Sequence, residues 1–184
     1  LASKTLSTHV ALLRGINVGG KNKLPMKDLA AMFVHAGCVD VQTYIQSGNV
    51  ICKAPAAVSK QLSSTIAAAI LERTGLRVPV VMRAASEIES VARNNPFLKA
   101  GKDPASLHVA FLHDVPKPAR ASALDLRRSP PDEIVLAGRD LYMLLPNGVA
   151  PSKFTNAYLD ATLDTTSTMR NWRTVLTLLE LAGL

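Results

Sequence analysis

The sequence predicts an α+β protein of two subdomains, on three observations. Short β-rich runs bounded by Gly, Pro and Asn recur along the chain. Amphipathic helical stretches lie between them. One element order starts twice, on either side of a segment (94–104) rich in turn-forming residues. Of the 184 residues, 48% are apolar and only 19% are charged, which excludes a disordered chain and supplies a core.

The elements follow in order. His9–Leu13 is a short apolar run and reads as a strand. The Gly-rich stretch Arg14–Lys23 is a loop. Pro25 suits the first turn of a helix, in which Met26, Leu29, Ala30, Phe33 and Val34 share a face and which Gly37 ends. Val41–Gln46 alternates as a strand, Ser47-Gly48-Asn49 is turn chemistry, and Val50–Cys52 continues as the second arm of a hairpin. Ala56–Thr74 reads as one amphipathic helix, closed by Gly75. Val78–Met82 is a strand that Pro79 places at a sheet edge. This order, β-α-β-β-α-β, is the split βαβ or ferredoxin-like pattern, assigned to residues 1–100. Its expected tail is a short helix at 86–94.

Residues 101–184 begin again. Leu107–Leu112 is a strand, Pro118–Arg128 a helix, and Glu133–Ala137 with Leu141–Leu145 a hairpin around Gly138-Arg139-Asp140. Helices are expected at 152–163 and 168–182. The second subdomain is thus a related β-α-β-β-α arrangement, with no closing strand and with C-terminal helices packing back on the first. The recurrence is one of element order, not of residues.

Composition narrows the function classes. Lys and Arg number 21 against 14 Asp and Glu, a formal charge of +7 that favours acidic or phosphorylated partners. Aromatics are few, and none lies on His9–Leu13 or Val50–Cys52, so base stacking on that sheet is disfavoured. No apolar window reaches membrane-spanning length, and the first ten residues lack a signal-peptide core, so the expected location is the cytoplasm. Cys38 and Cys52 have neither disulfide-framework nor metal spacing and are expected as reduced thiols. His9, His35, His108 and His113 make no ligand set, and no metal is expected. No nucleophile elbow or carboxylate pair singles out a catalytic residue, and no cofactor is indicated.

The strongest local signal is Gly15–Asn22, which follows a strand, precedes a helix and nearly spells a P-loop. Asn22 stands where a magnesium-ligating hydroxyl belongs, and a helix beginning at Pro25 starts too late to hold phosphate beside Lys21. A nucleotide-hydrolysing P-loop is therefore not the reading. The weaker expectation is an anion site. Gly15, Gly19 and Gly20 let backbone N–H groups turn toward one point, and Arg14, Lys21 and Lys23 surround them with no acid before Asp28. In the split βαβ fold the loop after the first strand and the Ser47-Gly48-Asn49 turn leave the sheet at one edge. Asn17, Ser47 and Asn49 would then orient a ligand there. Lys153, Arg170 and Asn171 would contribute if the C-terminal helix reaches that edge. Arg170 and Arg173, read near that helix's N-terminus behind the caps Thr166-Ser167-Thr168, oppose its dipole and call for an acid or a bound anion.

Four stretches together, ALLRGINVGGKNK (11–23), TYIQSGNV (43–50), LPNGVAPSK (145–153) and TMRNWRTV (168–175), resemble the bacterial family called domain of unknown function 1697, essentially end to end. The resemblance implies two small α+β subdomains and carries no activity. The family's recurrent segments fall here on Arg14–Lys23, Gln46–Asn49, Ser152-Lys153 and Arg170–Trp172. The expected function is binding of a small phosphate- or carboxylate-bearing molecule at the basic loop edge, with catalysis left open. The alternatives are a module binding the nucleic-acid phosphate backbone and a purely structural or interaction protein.

Overall fold

The computed structural model describes residues 5–184, so the first four residues of the stretch read for a leader lie outside it. The chain divides into two compact units. One comprises the chain up to Glu89 together with Leu178–Leu184; the other is Ser90–Thr177. The division falls at 89/90 rather than at 100.

In the first unit β1 (Leu6–Leu13), α1 (Met26–His35), β2 (Val39–Tyr44), β3 (Asn49–Pro55), α2 (Ala56–Ser59), α3 (Leu62–Thr74) and β4 (Val80–Ala84) follow in order. The sheet is antiparallel in the order β2-β3-β1-β4, with β4 at the edge as Pro79 predicts. Ala11, Leu13, Val50 and Cys52 on one sheet face form a buried core with Leu29 and Phe33 of α1 and Ile66 and Ile70 of α3. The helix expected over Ala56–Thr74 is broken. At Gln61 the N–H bonds the Val58 carbonyl at 3.1 Å, a tighter turn, and α3 restarts so that Leu62, Ile66 and Ile70 line up on the core. The hairpin turn is also displaced: Ile45, at φ +48°, already belongs to the turn, and Asn49 opens β3.

From β4 the chain passes into α4 (Ala85–Asn94) and α5 (Pro96–Lys99), whose first turn is capped by the Asn95 side-chain oxygen. The second unit then holds β5 (Leu107–Leu112), α6 (Pro118–Ser122), β6 (Glu133–Ala137), β7 (Asp140–Leu144), α7 (Asn156–Leu163) and β8 (Ser167–Asn171), and α8 (Trp172–Leu181) follows. Three expectations are corrected here. The helix expected over Pro118–Arg128 ends at Ser122, where the chain turns so that Asp125 accepts from the Arg127 N–H. The helix expected from 152 begins at Asn156, because Thr155 Oγ1 accepts from the Tyr158 N–H and caps it there. The helix expected over 168–182 begins only at Trp172. Ser167–Asn171 is a strand paired with β5, and Asn171, not Thr166-Ser167-Thr168, caps α8 by accepting from the Thr174 N–H at 2.8 Å.

The closing strand completes a second sheet, β6-β7-β5-β8, with the topology of the first. Two ferredoxin-like units therefore follow one another. The repeat extends to residues. Ser7-x-His9-Val10-Ala11-x-Leu13 on β1 matches Ser106-x-His108-Val109-Ala110-x-Leu112 at β5. Val10 pairs with Arg83 and Ala11 with Met82; Val109 pairs with Arg170 and Ala110 with Met169. Both arginines are buried, 1% and 8% exposed, and each donates Nη1 to the carbonyl of the methionine before it, at 3.0 and 2.8 Å. No described helix is long and apolar enough to cross a membrane.

Candidate functional site

The Gly-rich loop folds as a miniature hairpin. Val18 and Lys21 bridge, the Lys21 N–H donates to the Val18 carbonyl at 3.0 Å, and the Asn17 N–H donates to the Asn22 carbonyl at 3.1 Å. Gly19 and Gly20 form its two-residue turn with φ of +57° and +75°, the mirror-image geometry that matches strand twist and that side chains disfavour. Asn17 and Asn22 also sit at positive φ, which asparagine tolerates best among residues with a Cβ. The amides of Asn17 and Lys21 are therefore engaged inside the finger.

Its base is pinned to the β2–β3 turn. Asn17 Nδ2 donates to the Leu24 carbonyl at 2.8 Å and to the Gln46 carbonyl at 3.0 Å, while its Oδ1 accepts from the Leu24 N–H at 2.8 Å. Asn22 Nδ2 holds the Gly15 carbonyl at 2.8 Å. The Leu13 N–H donates to the Gly48 carbonyl at 2.8 Å, and a Cβ on Gly48 would lie 2.7 Å from the Leu13 Cβ. Asn49 is fully buried and donates to the Tyr44 carbonyl and to Ser47 Oγ, both at 3.2 Å. Loop and turn thus meet at one edge of the sheet, as the topology predicts. The polar residues that meet there brace the backbone.

Cations remain on the outside. Lys21 and Lys23 are exposed, as are Gly15, Gly19 and Gly20. Arg14 is half-buried, and its N–H donates to the Pro79 carbonyl at 3.1 Å. The first acid along the chain, Asp28, faces Arg73 at 3.6 Å. Among the described residues no carboxylate pairs with Lys21 or Lys23.

The remaining predicted residues lie in the second unit. Lys153 is exposed; its N–H donates to Ser129 Oγ at 3.0 Å and its carbonyl accepts from Arg128 Nε at 3.2 Å. Arg170 is a strand residue, not a helix-terminal one, so the dipole argument falls for it, while Arg173 stays exposed in the first turn of α8. Arg170 Nη1 also donates to Thr168 Oγ1 at 2.8 Å, and burial lowers its pKa to about 10. Asn171 lines an open cavity of about 450 Å³ together with His108, Thr155 and Asn156, and with the apolar Val149, Phe154 and Met169. Sequence reasoning passed over His108, Thr155 and Asn156. The signal that marks His108 was the Ser-x-His-Val-Ala-x-Leu repeat, which a comparison of 7–13 with 106–112 exposes.

Cys38 and Cys52 are both free and buried in the first unit, and burial raises both thiol pKa values. Among the described residues no group of three or more His, Cys, Asp or Glu is placed to hold a metal.

Comparison with known proteins gives a family and a fold. The family model described as "Protein of unknown function (DUF1697)" matches residues 6–142, most of the chain, and the chain belongs to that family. No curated protein matches. Among solved structures, the conserved bacterial protein SP0830 from Streptococcus pneumoniae is similar at 19% identity. The match covers 97% of this chain and 99% of that one with a TM-score of 0.70, a likeness of fold.

Proposed function

We propose that this DUF1697 protein binds a polyanion, the phosphate backbone of a nucleic acid, through the finger after β1. The observation that carries it is the finger itself: a rigid, exposed two-residue hairpin bearing Lys21 and Lys23, neither paired with a carboxylate. Arg14 at its base and the overall charge of +7 extend the positive field. Both amide hydrogens and the oxygen of Asn17 are engaged inside, so the geometry favours charge contact along an extended backbone over enclosure of a small molecule. Gly19 and Gly20 leave the tip without side chains, which lets a phosphate approach the main chain. The sheets carry no exposed aromatic platform, so binding without base preference is expected.

The test is fluorescence anisotropy with labelled single- and double-stranded oligonucleotides of random sequence across a salt series. Affinity should fall steeply with salt, and Lys21→Ala with Lys23→Ala should reduce the log–log salt slope by about 2, roughly one per cation removed. No binding at low salt would overturn the reading. If instead inorganic phosphate or pyrophosphate raises the melting temperature of the wild type but not of the double variant, and oligonucleotides do nothing, the small-anion reading takes its place.

A further inference from the structure

The second unit holds a cavity that the finger does not explain. We propose that it binds a small monocarboxylate with an apolar body, through the side-chain amides of Asn156 and Asn171 beside His108. The site goes beyond the finger reading and shares no residue with it.

The cavity, about 450 Å³, falls within the range of small-molecule sites. Its floor is set by the β5–β8 ladder, in which His108 and Asn171 are direct cross-strand partners and so project from one face of the sheet. The first residue of α7, Asn156, supplies a second amide. The two amides are oriented alike by their oxygens: Asn156 Oδ1 accepts from Ser167 Oγ at 3.1 Å, and Asn171 Oδ1 accepts from the Thr174 N–H at 2.8 Å. In each the amide nitrogen is what remains for a ligand. Thr155 Oγ1 likewise accepts from the Tyr158 N–H, which leaves its hydroxyl hydrogen. The buried His108 Nδ1 makes no hydrogen bond, a condition that native interiors seldom leave uncompensated. The Ser106 carbonyl lies near the ring but outside hydrogen-bond geometry; it is engaged with the Leu145 N–H at 2.8 Å.

The ligand class follows from this set of groups. The polar lining offers donors, the α7 N-terminus adds its positive dipole end, and no Asp or Glu lines the cavity, so the ligand's polar end is an acceptor. No Lys or Arg lines it either, so a doubly charged phosphate lacks a counter-charge while one carboxylate, shared by two amides, is well served. Val149, Phe154 and Met169 form an apolar wall for the rest of the molecule.

The first unit serves as an internal control. There the equivalent histidine, His9, is bonded by Ser7 Oγ at 2.8 Å, and its cross-strand partner is Ala84 in place of Asn171. The same strand signature therefore carries a satisfied histidine in one unit and an unsatisfied one facing a cavity in the other.

The experiment is a titration of the full chain with benzoate and 3-methylbutanoate, with benzamide and benzylamine as neutral and cationic isosteres. It is followed by the side-chain amide signals of Asn156 and Asn171, the ring signals of His108 and His9, and the melting temperature. The carboxylates should shift the first three sets and leave His9 still. Asn171→Asp keeps the oxygen that caps α8 and replaces the donor by a like charge; it should leave the melting temperature within about 1 °C and weaken carboxylate binding by about tenfold or more. Asn156→Asp, which keeps the Ser167 bond, should do the same. Equal binding of benzamide, unchanged affinity in both variants, or signals that stay still up to 10 mM carboxylate would each overturn the proposal. None of these outcomes depends on oligonucleotide binding, so the finger reading stands or falls separately.

Discussion

The two units share a sheet order, a strand signature and a buried Met-Arg pair, yet their distinctive features sit at opposite ends of that shared strand. In the first unit the C-terminal end of β1 opens into the Arg14–Lys23 finger, and its N-terminal end is closed by the Ser7–His9 bond. In the second, the C-terminal end of β5 runs through a short link into α6, and its N-terminal end opens on the His108 cavity. The ladders explain why both are tolerated. The Leu13 N–H meets the Gly48 carbonyl at 2.8 Å as the Leu112 N–H meets that of Arg139 at 2.9 Å, so register is held in the middle while strand ends are free to differ.

This comparison is broken most sharply at Gly48, whose counterpart in the second unit is Arg139. Gly48→Ala combines a 2.7 Å approach to the Leu13 Cβ with a φ of +82°, and should destabilise by about 4 kcal/mol in urea unfolding. Arg139→Ala should cost well under half of that. The buried arginines sharpen the likeness: Arg83→Ala and Arg170→Ala should each cost about 3 kcal/mol, and a large inequality between them would show that the two Met-Arg pairs are not one device. Asn17→Ala removes three hydrogen bonds that close the finger and should cost about 2 kcal/mol, with oligonucleotide affinity lost in proportion to the disorder it causes. Gly19→Ala and Gly20→Ala meet no atom within 4 Å and pay only for positive φ, about 1 kcal/mol each.

The smallest effect separates the histidines. Burial lowers the pKa of both His9 and His108 from 6.5, opposed by Glu87 in the first case and by the Ser106 carbonyl in the second. A histidine held neutral by the fold contributes fully above its unfolded pKa, and that contribution is lost as pH falls below 6.5 and through the lowered folded value. His108→Gln should therefore flatten part of the fall in melting temperature between pH 7 and 5.

Much of this architecture was legible in the residues. Pro79 announced an edge strand, and the topology alone brought Asn17 beside the Gln46–Asn49 turn. What was hidden has physical causes. The stretch Thr168–Arg170 runs directly into a strongly amphipathic helix, so its own periodicity was absorbed into that of α8, and only pairing with β5 makes it a strand. The residue-level repeat was masked because the two units differ in the loop lengths between matching strands. Asparagine in a glycine-rich loop advertises hydrogen bonding without saying toward what; Asn17 and Asn49 turn theirs on the backbone. The cavity escaped notice because its walls come from four separated segments, none of which carries a motif.

The passage of the chain between units has a consequence for synthesis. The first unit includes Leu178–Leu184, which are translated only after the whole of the second. On the ribosome the amino-terminal sheet must therefore wait, incomplete, while its younger counterpart is made, and a nascent chain stalled before residue 178 should remain more sensitive to protease in its first ninety or so residues than the released protein.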